Sequence, residues 1–452
     1  IEHKEIIKDC EEQRKYLRTL TDIKSCLEFA FSFAIKLDKK TFVIIDEYDH
    51  FANDLIAQGT SLSDKQYKEL IWANGVVRDF YETLKTATEY VVDKIFITGI
   101  TPIMLDDVTS GFNISNNISF ELQTNEILGF TENEVEWLID ACGVNREQLK
   151  DIDRKFLYNG YLFHPDGKHT LYNSAMVLYF LYHTWKNGKV EQIIDDNLKT
   201  DYGRIKTLIS QHENKDTLKR LLNGDEIMQA VVRKFSIIKL HDEDNFLSLL
   251  FYMGLVTIST NKESRQIIRI PNYSTQMNYW DYIESFIKEE RPYNAELPYR
   301  VSDIQNFIGK WADENNPKPF FDLIQGNFVN ILSNRDLRDF SEKDIKILIM
   351  LLIYQSNFYL PISEQENTNG YTDIYLQRRP IYHDVPYEWV VELKYINQED
   401  AKKETLVERK KSEAIEQLKR YRQSIRYKEK TDIRYLAIVF MGKKDYWMEE
   451  VR

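Results

Sequence analysis

Cysteine is scarce in this chain: Cys10, Cys26 and Cys142 are the only three in 452 residues. They follow no disulfide or metal-ligand spacing, which argues against a stapled secreted scaffold and fits the reducing environment of a cytoplasm. The eight histidines are scattered; His164 and His169 flank a turn with no cysteine pair beside them, so no zinc site is expected. Long apolar runs are also missing. The longest, Leu247–Met253 and Ile347–Tyr354, fall far short of the ~20 residues that cross a bilayer, so no membrane partner is expected. No charged-then-apolar leader opens the chain. It begins at Ile1 rather than methionine, so a natural N-terminus is expected upstream. Internal repeats and low-complexity segments are absent too. Positive charge is not in excess: 60 Lys+Arg against 72 Asp+Glu leave a net charge of −12, a poor balance for gripping phosphate over the whole surface.

What is present is core-forming material. Hydrophobic residues make up 43% and aromatics 13% of the chain, which excludes a disordered polymer. The length allows two to four domains, each with its own core.

The most informative residues are Asp373, then Glu392-Leu393-Lys394. Around Asp373 the run Tyr371–Leu376 alternates as a strand does, with Thr372, Ile374 and Leu376 on one face and Asp373 on the other. A turn-rich stretch with Pro380 and Pro386 follows. Trp389–Lys394 then reads as a second strand, whose period of two puts Glu392 and Lys394 on one side and Val391 and Leu393 on the other. Paired, the two strands would bring two carboxylates and an ammonium to one spot. Phosphodiester hydrolysis needs such a spot: a hard divalent cation held by oxygens, and a group that positions water. Asp373 and Glu392 supply carboxylate oxygens for Mg²⁺, and the Leu393 carbonyl is a candidate third. Lys394 would orient the nucleophile and stabilise phosphoryl charge. Acid-x-Lys alone is uninformative, since Glu2–Lys4, Asp38–Lys40, Asp344–Lys346 and Glu408–Lys410 also match. None of these lies in an apolar strand preceded by an acidic one. The bland alternative is an exposed hairpin carrying ordinary charges.

The surroundings extend the pattern. Ser341-Glu342-Lys343-Asp344 reads as a capping box before an apolar helix from Ile345 to Tyr354. A short strand is expected near Phe358–Ile362, a charged helix over Lys402–Tyr427, and an apolar strand over Ile433–Met441. In that helix Gln417 and Tyr421 stand four apart on one face. The order α-β-β-β-α-β over about 336–452, with Gln417-x-x-x-Tyr421, resembles the PD-(D/E)xK nuclease superfamily, a restriction-endonuclease-like fold. The resemblance implies that Asp373 and Glu392 are metal ligands, that Lys394 is the catalytic lysine, and that Gln417 and Tyr421 line the site or touch DNA. It implies Mg²⁺ or Mn²⁺ as cofactor and nucleic acid, DNA by expectation, as partner. Thr372 stands where the name-giving proline would be. The family's first-helix acid could be Glu342 or Glu364. Within 401–440, 12 Lys+Arg face 6 Asp+Glu, a local excess of positive charge that suits a phosphate track beside such a site and equally an ordinary solvated helix face.

At the other end, Thr41–Ile45 is a short unbroken apolar run, as expected of a parallel strand covered on both faces, and it ends in Asp46-Glu47-Tyr48-Asp49. A second such run, Lys94–Gly99, leads to Thr98 and Thr101. A helix over 65–89 would complete a β-α-β crossover. Together with Ser110–Ile114, Leu128–Val135, Tyr158–Tyr161 and Leu171–Ser174, these runs resemble an AAA-ATPase-like domain often fused to a PD-(D/E)xK nuclease. The resemblance covers about residues 1–280. It implies that Asp46 holds Mg²⁺, that Glu47 activates water and that Thr98 acts as the sensor, with ATP as the ligand. No G-x-x-x-x-G-K-[ST] occurs, so the phosphate loop is expected upstream of Ile1 and ATP binding only where it is supplied.

The expected organisation is α/β and α+β, multidomain: an ATPase-type parallel α/β core fragment (1–130), a helical lid (131–220) with helices at Thr131–Asp140 and Ser174–Lys186, a winged-helix-like module (221–300) that packs between domains, a connector (301–335) and the nuclease-like domain (336–452). The function this implies is a metal-dependent nuclease coupled to an ATPase-type regulatory domain. The alternatives are a catalytically lapsed nucleotide-controlled switch, or a DNA- or protein-binding scaffold using the basic helix 402–430.

Overall fold

The computed structural model describes residues 11–50, 76–100, 102, 114, 116–150, 152–188, 217–218, 220–233, 242–260, 265–280, 301–329, 341–356, 358–367, 370–379, 385–442 and 445–452. The features expected at 65–75, Thr101, 110–113, the turn 261–264 and the connection 289–297 lie outside these residues. The chain divides into two compact units, one of residues 1–125, 200–214 and 229–256, the other of 126–199, 215–228 and 257–452.

In the first unit α1 (Ile23–Lys36) is capped by Asp22, whose side chain accepts the Ser25 N–H, and leads into β1 (Thr41–Ile45). After α2 (Val76–Ala87), β2 (Val92–Ile97) returns parallel to β1, in register from Phe42↔Lys94 to Ile45↔Ile97. The two-strand crossover is as expected; its cover is not. Phe42 and Ile44 are 64% and 76% exposed, and Phe96 is 50% exposed. One crossover covers one face of a two-stranded sheet, so β1 is half-buried on one side and exposed on the other, which corrects the two-sided burial read from its apolar run.

In the second unit, α3 (Glu132–Ala141) opens with the expected capping box: Thr131 and Glu134 each take the other's backbone N–H. It shares a core with α4 (Ser174–Asn187) through Val135 and Ile139 against Met176, Val177 and Phe180. β3 (Ile227–Met228), β4 (Thr257–Thr260) and β5 (Gln266–Arg269) form a small antiparallel sheet in the order β3-β5-β4. The rest of this unit builds the larger sheet. α5 (Val301–Glu314) carries Trp311, and α6 (Glu342–Tyr354) starts at the capping box of Ser341 and Asp344. β6 (Tyr359–Asn367), β7 (Gly370–Arg378), β8 (Glu388–Ile396), α7 (Glu404–Arg422), β9 (Ile433–Met441) and β10 (Asp445–Glu450) follow. The sheet order is β10-β9-β8-β7-β6, with β8 and β9 parallel and the other neighbours antiparallel.

Central β8 is covered on both faces. Trp389 meets the ring of Trp311, 5.6 Å between centroids, while Val390 on the other face clusters with Ala414, Leu418 and Tyr421 of α7. The α-β-β-β-α-β order expected from sequence is present, with β10 as an additional edge.

Candidate functional site

Four segments converge on the side chain of Lys394. β8 alternates as its sequence requires: Val391 and Leu393 are 1% and 0% exposed on one face, and Glu392 and Lys394 point from the other. β7 and β8 pair from Leu376↔Trp389 to Ile374↔Val391. One residue beyond, Asp373 accepts the Leu393 N–H on Oδ2 at 2.9 Å. The same oxygen is 3.7 Å from Lys394 Nζ. Lys394 Nζ donates to Glu392 Oε1 at 2.6 Å. Glu342, the first residue of α6, accepts the Tyr395 N–H at 3.1 Å and holds its other oxygen 3.9 Å from Nζ. Of the two first-helix acids the sequence left open, Glu342 is therefore brought to the site; the side chain of Glu364 lies outside the described residues.

Burial sets the charge states. Glu392 is 1% exposed, and desolvation, then the neighbouring Asp373, push its carboxyl up from 4.5 to about 8. Burial pulls the Lys394 ammonium toward neutrality, but Glu392, Asp373 and Glu342 together hold it above the ordinary lysine value. Glu342 is raised by burial, against the pull of Lys394. Tyr421, 4% exposed on α7, is raised by burial and then by Glu392 and Asp373, so its hydroxyl stays protonated beside them. Gln417, one turn earlier, lines an open cleft of ≈ 600 Å³ together with Lys394, Lys410 and Arg420. The expected set Asp373, Glu392, Lys394, Gln417 and Tyr421 thus gathers around one place, and Glu342 joins it.

The donor set suits a hard cation. Three carboxylates surround the Lys394 ammonium, each with an oxygen within 4 Å of it, and Glu392 Oε2 is buried without a hydrogen-bond partner. As they stand, no three Asp, Glu, His or Cys side chains among the described residues are gathered at metal-holding distance. The reason is visible in the geometry, since the carboxylates are arranged around an ammonium.

Residues 340–450 match the family model described as PD-(D/E)XK nuclease superfamily, and residues 2–109 match the one described as Predicted AAA-ATPase. The chain joins an AAA-ATPase-like domain to a PD-(D/E)XK nuclease domain. No curated protein and no solved structure matches it. No helix among the described residues is long and apolar enough to cross a membrane.

In the ATPase-like domain the expected residues occupy the ends of the parallel strands. The Thr98 hydroxyl donates to Asp46 Oδ1, and the Glu47 N–H reaches the same oxygen at 3.1 Å. Backbone bonds Thr98 N–H to Ile45 O (2.8 Å) and Tyr48 N–H to Thr98 O (3.0 Å) hold the two strand ends together. Glu47 has φ 51°, a left-handed conformation, and its exposed carboxylate stands 3.6 Å from His50 Nδ1. Asp46 and Thr98 are brought together, whereas Glu47 faces solvent. The residue that sequence reasoning passed over is Asp49. It is fully buried and accepts the Ile100 N–H at 3.1 Å, fixing the turn after β2. Gly99 is required in that turn, because a Cβ there would meet the Tyr48 ring at 2.3 Å and Asp49 Oδ1 at 2.5 Å.

Proposed function

We propose that the C-terminal domain hydrolyses phosphodiester bonds in nucleic acid, DNA being the expected substrate, with Mg²⁺ or Mn²⁺ held by Asp373 and Glu392. The observation that carries this reading is the Lys394 ammonium among the carboxylates of Glu392, Asp373 and Glu342, at 2.6, 3.7 and 3.9 Å. A divalent cation bound to these oxygens would supply Lewis-acid charge to the phosphoryl group and lower the pKa of water. Lys394, kept charged by its neighbours, orients the attacking water and stabilises charge that develops on the phosphoryl oxygens. Asp373 also anchors the Leu393 N–H, so one residue shapes both the ligand set and the strand carrying it. Gln417 and the protonated Tyr421 present hydrogen-bond donors on the substrate side. Backbone phosphates would run along α7, where the local charge is positive.

The N-terminal domain is read as a nucleotide-controlled regulator. Asp46 would hold Mg²⁺, Glu47 would activate water and Thr98 would sense the γ-phosphate, once a phosphate loop is supplied. The layout proposed is the ATPase-like core over 1–130, a helical lid over 131–220, a winged-helix-like module over 221–300, a connector over 301–335 and the nuclease domain over 336–452. The test is cleavage of plasmid, linear and single-stranded substrates with Mg²⁺ or Mn²⁺ against EDTA. Metal-dependent cleavage of any of them supports the reading; none with any metal contradicts it.

A further inference from the structure

We propose that the large cavity beside the edge strand β6 is a seat for single-stranded nucleic acid, taking the strand that flanks the scissile bond. The inference rests on the reading of the C-terminal domain as a nuclease and places a further part of its substrate.

The cavity has a volume of ≈ 1310 Å³ and lies within the second unit. Segments on either side of α3, the stretch after β5, and Ile362 and Ser363 of β6 form its walls. β6 is the edge of the larger sheet, next to the strand that carries Asp373. Pairing parity gives the side of the sheet. Ile362 pairs with Tyr375 and Tyr375 with Val390, and Val390 stands two residues before Glu392, so Ile362 shares the face of Asp373, Glu392 and Lys394. By strand spacing and rise, the Cα atoms of Ile362 and Asp373 are ~8 Å apart. A strand leaving the nuclease site reaches the cavity by crossing β6 alone.

The groups left unpaired in the cavity call for an anion. Three of its four carboxylates are engaged: Glu126 with His169 at 2.8 Å, Glu132 with Lys155 at 3.3 Å and Asp225 with Lys343 at 2.6 Å. Against the remaining Glu226 stand Lys168 and Arg269, two exposed cations with no ion-pair partner among the described residues. Two wall hydroxyls, Tyr273 Oη and Ser363 Oγ, are buried without a hydrogen-bond partner, and Tyr273 is only 1% exposed. Acceptor oxygens entering the cavity would relieve that cost. Half-buried Phe156 lines the same space, its ring stacked on Tyr273 at 5.0 Å between centroids. Cations for phosphates beside an aromatic platform for a base are what an unpaired strand uses, whereas a duplex keeps its bases turned inward.

The experiment measures fluorescence anisotropy of the full chain in EDTA, with a labelled oligothymidylate of ~12 nucleotides and a hairpin duplex as probes. Lys168→Gln/Arg269→Gln is compared with Lys36→Gln/Lys39→Gln, which removes the same charge from the first unit. The cavity variant should bind the single strand about tenfold more weakly than the control, with a salt slope lower by ~1.4 for two lost phosphate contacts. Its duplex affinity should match the control's. Phe156→Leu should weaken the single strand by about fivefold or more with an unchanged salt slope, as loss of one base stack does. Single-strand affinity equal to the control's, or a duplex weakened as much as the single strand, would overturn the inference. Cleavage of the same probes with Mn²⁺ is read in parallel: binding as expected without cleavage would remove the nuclease reading and leave the seat, and cleavage with unaltered binding would do the reverse.

Discussion

Asp373 on β7 accepts the backbone N–H of Leu393 on β8 at 2.9 Å, so the acid that faces the site also fastens the strand carrying Glu392 and Lys394. Substitution should therefore separate two roles. Asp373→Asn retains a side-chain oxygen for that N–H and should melt close to wild type while losing metal affinity. Asp373→Ala leaves the N–H without its partner and removes a charged acceptor, a loss of ~1.5–3 kcal/mol. Calorimetric melting of the two variants beside Mn²⁺ binding checks this; equal melting of the two would show that the bond does not fasten the strand.

The pH dependence follows from Glu392. Its carboxyl is raised from 4.5 to about 8, chiefly by burial and then by Asp373. A metal needs the carboxylate, so below pH about 8 it must displace a proton. Affinity for Mn²⁺ should fall as pH drops from about 8 and level off above it, with proton release on binding near pH 7. The sign for stability is the opposite. A raised carboxyl contributes stability fully present below its unfolded value near 4.5 and lost as pH rises through about 8. Glu392→Gln should therefore gain melting temperature over metal-free wild type at pH 9 and not at pH 4. Calorimetry in two buffers of different ionisation enthalpy measures the released proton.

Substrate contact along α7 should be electrostatic and weak per residue. Lys410, Lys411 and Lys419 each pair with a glutamate of their own helix, at 2.7, 2.8 and 3.2 Å. Lys419 is exposed and Lys410 and Lys411 are partly exposed; solvent-facing pairs within one helix are worth ~0–1 kcal/mol, so a phosphate can replace the glutamate as partner. DNA affinity should fall steeply with salt, and replacing all three lysines by glutamate should weaken binding to every sequence alike and flatten the salt slope. Fluorescence anisotropy at several ionic strengths reads both; an unchanged slope would mark the helix face as merely solvated.

Nucleotide binding should be weak in this 452-residue chain. On the proposed reading Asp46, Glu47 and Thr98 would provide the metal and water side of an ATP site, while the backbone cradle and lysine that grip the phosphates would belong to a G-x-x-x-x-G-K-[ST] loop, a motif this sequence does not contain. A longer protein carrying that loop should bind and hydrolyse ATP, and Glu47→Gln should abolish the hydrolysis. Micromolar ATP binding to the present chain, measured by calorimetry, would contradict this assignment.

Local patterns were legible in the sequence, and distances between segments were not. The Ser341–Asp344 and Thr131–Glu134 capping boxes and the strand Ile433–Met441 appear where the residue spacing puts them. The shared face of Glu392 and Lys394 follows from the period of two. The Asp373 bond to Leu393 could not be read, because it depends on β7 and β8 meeting at one register. Glu342 could not be chosen over Glu364 for the same reason, since the position of the start of α6 beside Tyr395 is a tertiary fact. β10 went unseen because Asp445–Glu450 mixes charge and aromatics without clean alternation, as edge strands often do. The exposure of Phe42 and Ile44 shows the limit of composition: an apolar run reports what a strand could bury, not what is there to cover it.

The most direct measurement is single-turnover cleavage by Lys394→Ala beside its Mn²⁺ affinity. The ammonium is held by three carboxylates and takes part in no backbone bond among those described, so the variant should fold and still bind Mn²⁺. Losing a preorganised charge at the phosphoryl group costs ~10²–10³ in rate, and cleavage should slow by at least that. Cleavage at the wild-type rate by this variant would contradict the assignment of Lys394, and with it the site built around it.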